Sequence, residues 1–176
     1  MNHQGRSGDH PVPKSPRAAS SGLSRRRLRF RKSDGVGVTR ATAKHFIADG
    51  GTFEGRDQGD ARIEEAKLVA QHAAGYRAAI DAGALTVMAS FSSWNGVTHH
   101  GNATLLTDVL KQRLGFAGLV VGDWNAHGQL PGCSVTHCPE ALNAGIDLFM
   151  APESWRGLFT ATVDDVRAGR IPEARL

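Results

Sequence analysis

Four short apolar segments recur along this chain, each followed by a helical pattern, and no other feature restricts its fold as much. The segments are "ATAKHF" (41–46), "ALTVMAS" (84–90), "GLVVGD" (118–123) and "GIDLFM" (145–150). Within the third, Leu119, Val120 and Val121 make an unbroken apolar run of the kind expected for a strand buried on both faces. Between the segments the apolar spacing becomes helical. In 61–81, Val69, Ala73, Tyr76 and Ile80 recur at gaps of four, three and four, with Asp60 as the expected N-cap. In 103–114, Leu106, Val109 and Leu110 form a stripe that Gly115 stops. A short helix is expected over 139–144. In 155–168, Trp155, Leu158, Phe159, Thr162, Val163 and Val166 form one face, and Gly169 ends it. Alternation of this kind builds a parallel sheet covered by helices. Four such units are half of a (β/α)8 barrel, which takes about 250 residues when whole. An open α/β sheet of four or five strands is the competing architecture.

In both architectures the functional groups gather beyond the C-terminal ends of the strands. Lys44 and His45 stand there after the first strand, and Phe91, Ser92, Ser93, Trp94 and Asn95 after the second. Asp123 and Trp124 follow the third, and Met150 the fourth. A carboxylate next to a packed strand end is costly unless it is paired or used. One carboxylate flanked by Trp, with Lys, His and further aromatics, suits a carbohydrate pocket: the polar groups meet hydroxyls and the rings meet apolar sugar faces. Asp123 would then attack an anomeric carbon while Lys44 and His45 hold hydroxyls. A plainer arrangement uses the same residues for structure, with Asp123 capping the following turn and Lys44 and His45 neutralising a carboxylate.

Charge divides the chain in two. Residues 1–35 hold nine Lys/Arg against Asp9 and Asp34, a balance of +7, whereas residues 36–176 balance at −3. The first part is rich in Ser, Arg, Pro and Gly, with Pro11, Pro13 and Pro16 and no apolar periodicity. It is expected to be a disordered basic tail, separate from a domain running over 36–176. The Arg25–Lys32 cluster holds a single aromatic, Phe30, so no nucleic-acid partner is expected. No run approaches the roughly 18 apolar residues of a membrane span, and no secretory signal is readable at the N-terminus. Cys133 and Cys138 could pair across one loop or stay as free thiols. His127 and His137 lie near them, but the spacing fits no strong zinc pattern, and no metal is expected.

The stretches "TAKHFIADGGT", "TVMASFSSWNGV", "HGNATLLTDVLKQRLGFAGLVVGDWNAHGQLPGC" and "AGIDLFMAPESW" together resemble the N-terminal catalytic domain of glycoside hydrolase family 3. The likeness runs from about residue 38 to 176 and is closest to the bacterial exo-acting β-glucosidases and glucan glucohydrolases. It implies the second half of a (β/α)8 barrel and a retaining mechanism on a β-linked glucoside, without a cofactor. Retaining enzymes carry two carboxyl groups roughly 5–5.5 Å apart, one as nucleophile and one as acid/base. The family's "GDW" motif makes Asp123 the nucleophile. Its "KHF" motif makes Lys44 and His45 the grip on the terminal sugar. Trp124 would line the pocket floor, with Met88 and Met150 at apolar positions beside it. Phe91 stands where some relatives carry Tyr, and Thr98 where many carry Lys; His99 and His100 receive no role. The resemblance places early sugar-binding strands and a second domain with the acid/base Glu outside these motifs. The expectation is therefore a fragment that is inactive alone, or else a sugar-binding half-barrel without chemistry. Relatives are commonly periplasmic or secreted.

Overall fold

The computed structural model describes residues 41–176. The basic tail expected over 1–35 lies outside the described residues. Strands Thr42–Phe46, Thr86–Ala89 and Leu119–Val121 form a parallel sheet in chain order. The register sets Thr86 against Thr42 and Leu119, and Met88 against Val121. Val121 continues the sheet in a parallel bridge to Leu148. Sequential parallel order with a helix after each strand is the barrel-type arrangement. Within the first strand the Lys44–His45 and Phe46–Ile47 peptides are cis, and the ladder shifts register between Ala43 and Phe46.

Alternation along the strands separates two faces. Val87, Ala89 and Val120 point into the core with Phe46, Leu68, Leu106, Leu110, Ala141 and Ile146. The opposite face carries Thr86, Met88, Leu119, Val121 and Leu148 by register. Leu119 is 52% exposed and Leu148 53%. The run 119–121 is thus buried on one face, not on both as its composition suggested. Among the described residues nothing covers the other face, which is the interior side of a barrel wall. The fourth segment is likewise shorter than expected, a single bridge at Leu148. Its ladder is diverted, because the Asp147 and Leu148 N–H groups both donate to the Val120 carbonyl. The Asp147 carboxylate takes the Val120 N–H.

The helix after the first strand is composite: α over Glu65–Leu68, π over Val69–Ala73, α over Ala74–Asp81. Its wide turn shifts the inward face by one position. Leu68 is buried and Val69 is 55% exposed, reversing the place expected for Val69. Ala73, Tyr76 and Ile80 do pack on the core, Tyr76 edge-on to Phe46 at 4.9 Å. Asp60 does not cap this helix. It lies in a two-residue strand and accepts hydrogen bonds from the Ser93 hydroxyl and the Gly96 N–H.

Thr104–Arg113 is π-helical and buries Leu105, Leu106 and Leu110 before Gly115 turns it off at φ 68°. Pro139–Ala144 is helical, with proline in its first turn. Gly145 follows at φ 128°, where a Cβ would come within 2.9 Å of the Leu106 Cβ. In the last helix, Trp155–Arg167, Leu158 is buried, but Trp155 is exposed and Phe159 is 67% exposed. The face expected over Trp155 and Phe159 therefore stays open. With Leu142, Leu148 and Phe149 it borders an apolar groove of about 320 Å³. Asp165 turns inward instead, paired with His137 and Arg170. Cys133 and Cys138 form a disulfide. His127 and His137 are committed elsewhere, to the Val135 carbonyl and to Asp165. Among the described residues no helix is long and apolar enough to cross a membrane.

Candidate functional site

Main-chain hydrogen bonds lock the strand ends into one rim. The Ser90 N–H donates to the Phe46 carbonyl at 2.6 Å, joining the first strand to the second. Gly122 N–H donates to the Leu148 carbonyl at 2.8 Å, and Asn125 N–H to the Met150 carbonyl at 2.9 Å, joining the third to the fourth. Asp123 is held between these last two bonds, just past Val121.

Its carboxylate has few partners. Trp124 N–H donates to Oδ1 at 2.6 Å. Oδ2 faces the His45 Nε2 at 3.7 Å, beyond hydrogen-bond range. The Asp123 carbonyl accepts the Ala126 N–H, so this residue does shape the following turn, whose Asn125 sits at φ 53°. That structural part uses the carbonyl and Oδ1; among the described residues Oδ2 accepts no hydrogen bond. The capping reading and the chemical reading are compatible because they use different oxygens.

His45 lies between two carboxylates. Its Nδ1 is 3.1 Å from the Asp49 Oδ2, which turns Nε2 toward Asp123. Asp49 is oriented by the Ser90 hydroxyl, which donates to Oδ1 at 3.1 Å. Ser90 and Ser92 share a hydroxyl–hydroxyl bond of 2.7 Å, and Ser92 meets the His99 Nδ1. A polar chain thus runs from the exposed rim to a buried imidazole. The His99 Nδ1 donates to the Ser92 carbonyl at 2.7 Å. Burial lowers its pKa despite that bond.

Lys44 is exposed and makes no ion pair or hydrogen bond among the described residues, which leaves its ammonium available at the rim. Trp124 is largely exposed, and Met88 and Met150 are half-buried. Phe91 is half-buried with its ring edge-on to His100 at 6.3 Å. It also borders a polar pocket of about 50 Å³ with Gln58, Ser92, Thr98 and Gln129. His45 and Asp123 are therefore brought together, Phe91 is drawn onto His100, and Lys44 and Trp124 are exposed, neither side chain bonded among the described residues.

Sequence reading missed Asp49, Ser90, His99 and His100. The signal for the histidines was the doublet in "GVTHHGN", directly after the second strand's polar loop. Both rings are fully buried. His100 Nε2 accepts the Asp123 N–H at 2.8 Å. Burial, then the neighbouring His99 and His127, pushes its pKa down to about 3, offset in part by the Ser90 main chain.

Chemically, the rim presents one under-coordinated carboxylate oxygen, an imidazole, an ammonium unpaired among the described residues, an exposed indole and a half-buried phenyl ring. None of its hydrogen bonds or ion pairs, among the described residues, involves a glutamate.

Comparison with known proteins bears on this arrangement. Residues 22–176 match the glycosyl hydrolase family 3 N terminal domain. A periplasmic beta-glucosidase of Salmonella typhimurium is 30% identical over 77% of this chain and 18% of its own length. A beta-glucosidase of Rhizobium radiobacter is 34% identical over 74% of this chain and 15% of its own. The crystal structure of an exo-1,3/1,4-beta-glucanase from a Pseudoalteromonas species superposes with a TM-score of 0.75. It is 52% identical over 76% of this chain and 17% of that one. The chain therefore spans less than a fifth of the length of each of these relatives.

Proposed function

Since this chain belongs to glycosyl hydrolase family 3, we propose that its rim is the nucleophile half of a retaining β-glucosidase site. The observation that carries the reading is the geometry of Asp123. Its own N–H is held by His100, its Oδ1 takes the Trp124 N–H, and Oδ2 is left without a hydrogen bond among the described residues. Supporting it are the beta-glucosidase and exo-beta-glucanase names of the relatives.

In this mechanism Asp123 Oδ2 attacks the anomeric carbon and the glycosidic C–O bond breaks. The departing oxygen keeps the electron pair and takes up a proton. Water then attacks the same carbon, loses its proton to a base, and releases Asp123, so the configuration is retained. Lys44 and the His45 Nε2 edge hold hydroxyls of the sugar. Asp49 keeps His45 in the tautomer that faces the mouth. Trp124, Phe91, Met88 and Met150 give apolar surface to the sugar ring. No cofactor enters any step.

The second carboxyl group belongs to a part of the site beyond the described rim. General acid assistance is worth typically about 10²–10⁴-fold. The 176-residue chain by itself therefore turns over ordinary β-glucosides poorly or not at all. Leaving groups that are stable as anions escape that requirement. The test is a series of aryl β-glucosides with leaving groups of falling basicity. The reading expects slow turnover only at the activated end, lost in Asp123→Asn. Equal rates for the mutant and the parent chain would refute it. A second reading, sugar binding without chemistry, is favoured by a rim whose bonds, among the described residues, include no glutamate. Calorimetric glucose binding with no turnover of even the most activated glucoside would select it.

A further inference from the structure

The histidine doublet is the part of the site that the mechanism above leaves unused. We propose that His100 is a positioning residue for Asp123: its unprotonated Nε2 accepts the Asp123 main-chain N–H and so fixes the root from which the nucleophilic carboxylate projects. The proposal rests on reading Asp123 as the nucleophile.

Hydrogen-bond accounting leads to it. The third strand ends at Val121, and the next N–H, of Gly122, is taken by Leu148 across the sheet. The one after belongs to Asp123, where the ladder has ended and no carbonyl of a neighbouring strand takes it. An amide N–H can only donate. His100 supplies the acceptor from beyond the second strand, at 2.8 Å. An imidazolium has no lone pair to offer, so the bond itself requires a neutral ring with its proton on Nδ1.

Burial keeps the ring neutral, and the Asp123 N–H, which needs an acceptor on Nε2, assigns the proton to Nδ1, an atom with no hydrogen-bond partner among the described residues. The ring is fully buried, and the titratable groups against it are His99 and His127, which would repel a second positive charge. Its position is also fixed. The Phe91 ring stands edge-on at one side. On the other, a Cβ placed on Gly122 would lie 3.4 Å from the His100 ring, so the imidazole rests against the backbone at the strand end.

The consequence is a division of labour over two successive amides. Asp123 N–H points back into His100 and sets where the residue sits. Trp124 N–H points forward onto Oδ1 and sets how the carboxylate turns. Oδ2 is what remains to react. Phe91 thereby acquires a second task, since its ring helps hold the imidazole.

The test reads the hydrogen bond itself in the 176-residue chain. With uniform ¹⁵N labelling, the proposal expects a through-bond N–N coupling between the Asp123 amide and His100 Nε2, and a proton on Nδ1. His100→Gln, which presents an amide oxygen near the place of Nε2, should keep Asp123 N–H slow to exchange. His100→Leu removes the acceptor and should speed that exchange at least about tenfold, with the Gly122 amide unchanged as internal control. Covalent labelling of Asp123 by an activated fluoro-sugar should slow by a similar factor in His100→Leu and recover in His100→Gln. A proton on Nε2, or Asp123 exchange no slower in the parent chain than in His100→Leu, would overturn the proposal. If His100→Leu does not fold, the parent coupling and the glutamine variant decide. Because exchange and coupling do not depend on turnover, they stand or fall separately from the glycosidase reading.

Discussion

Two aspartates lean on the strand Leu119–Val121, and they are treated in opposite ways. Asp147, beside the strand, is saturated. Lys111 Nζ lies 2.7 Å from it, Arg175 Nη2 2.8 Å, and Val120 N–H donates to its other oxygen at 2.8 Å. Burial alone would raise its pKa, but these donors outweigh burial and hold it below the usual carboxylate range. Asp123, past the strand's end, has one main-chain donor on Oδ1 and only a distant imidazole near Oδ2. A carboxylate whose oxygens are all bonded is spent on the fold. One that the backbone aims while leaving an oxygen bare remains available for chemistry.

That contrast can be broken by exchanging the charge at each site. Asp123→Asn keeps the size and the hydrogen bonds of the main-chain N–H groups but removes the proposed nucleophile. Turnover of an activated glucoside should fall at least about 10³-fold, with urea unfolding unchanged within about 0.5 kcal/mol. Asp147→Asn should do the reverse. It strips a charged acceptor from two cations, costing about 2–3 kcal/mol of stability in urea titrations, while the folded fraction keeps its reactivity toward the same glucoside. Loss of reactivity at unchanged stability in Asp147→Asn would erase the distinction.

Acid sharpens the same comparison from the histidine side. His99 and His100 have depressed pKa values in the folded chain, His100 about 3, against 6.5 for a free imidazole. The stability they secure is fully present above pH 6.5. It falls as the pH drops below 6.5, for His100 down toward 3, because the unfolded chain takes up protons that the folded one refuses. The slope should be about 1.4 kcal/mol per pH unit for His100, with His99 adding in the same direction. His100→Gln should remove one histidine's share. A stability curve flat between pH 6.5 and 4 would contradict this. The smallest effect is reserved for Lys44. It is exposed and unpaired among the described residues, so Lys44→Ala should leave stability within about 0.5 kcal/mol of the parent while weakening glucose binding in calorimetry.

Much of this was legible before any coordinates. The apolar segments with their helical intervals carry the parallel order, because period-2 and period-3.6 patterns exclude one another. Asp123 was legible for a simple reason: a charge directly after a buried strand requires an explanation. Other features depend on what lies across from a residue, which no local pattern records. The π turn at Val69–Ala73 moved Leu68 inward without altering the apolar spacing. Asp60 looked like a cap and became the anchor of a neighbouring turn. Leu119 is apolar on a face that nothing among the described residues covers. His99 and His100 receive no role from the sequence, yet both are buried, one bonded to Ser92 and the other to the Asp123 backbone. The resemblance to glycosidases pointed to Asp123 and passed over His100, which meets the Asp123 N–H from behind.

The account depends most on Asp123 being the atom donor that bonds to sugar, and one measurement addresses this directly. The 176-residue chain would be incubated with a fluorinated deoxy-β-glucoside bearing a dinitrophenolate leaving group, which needs no acid assistance, then analysed by intact mass and peptide mapping. The account predicts a single glycosyl adduct on the peptide containing Asp123, absent from Asp123→Asn. No adduct at all, or an adduct on another carboxylate such as Asp49, would contradict it.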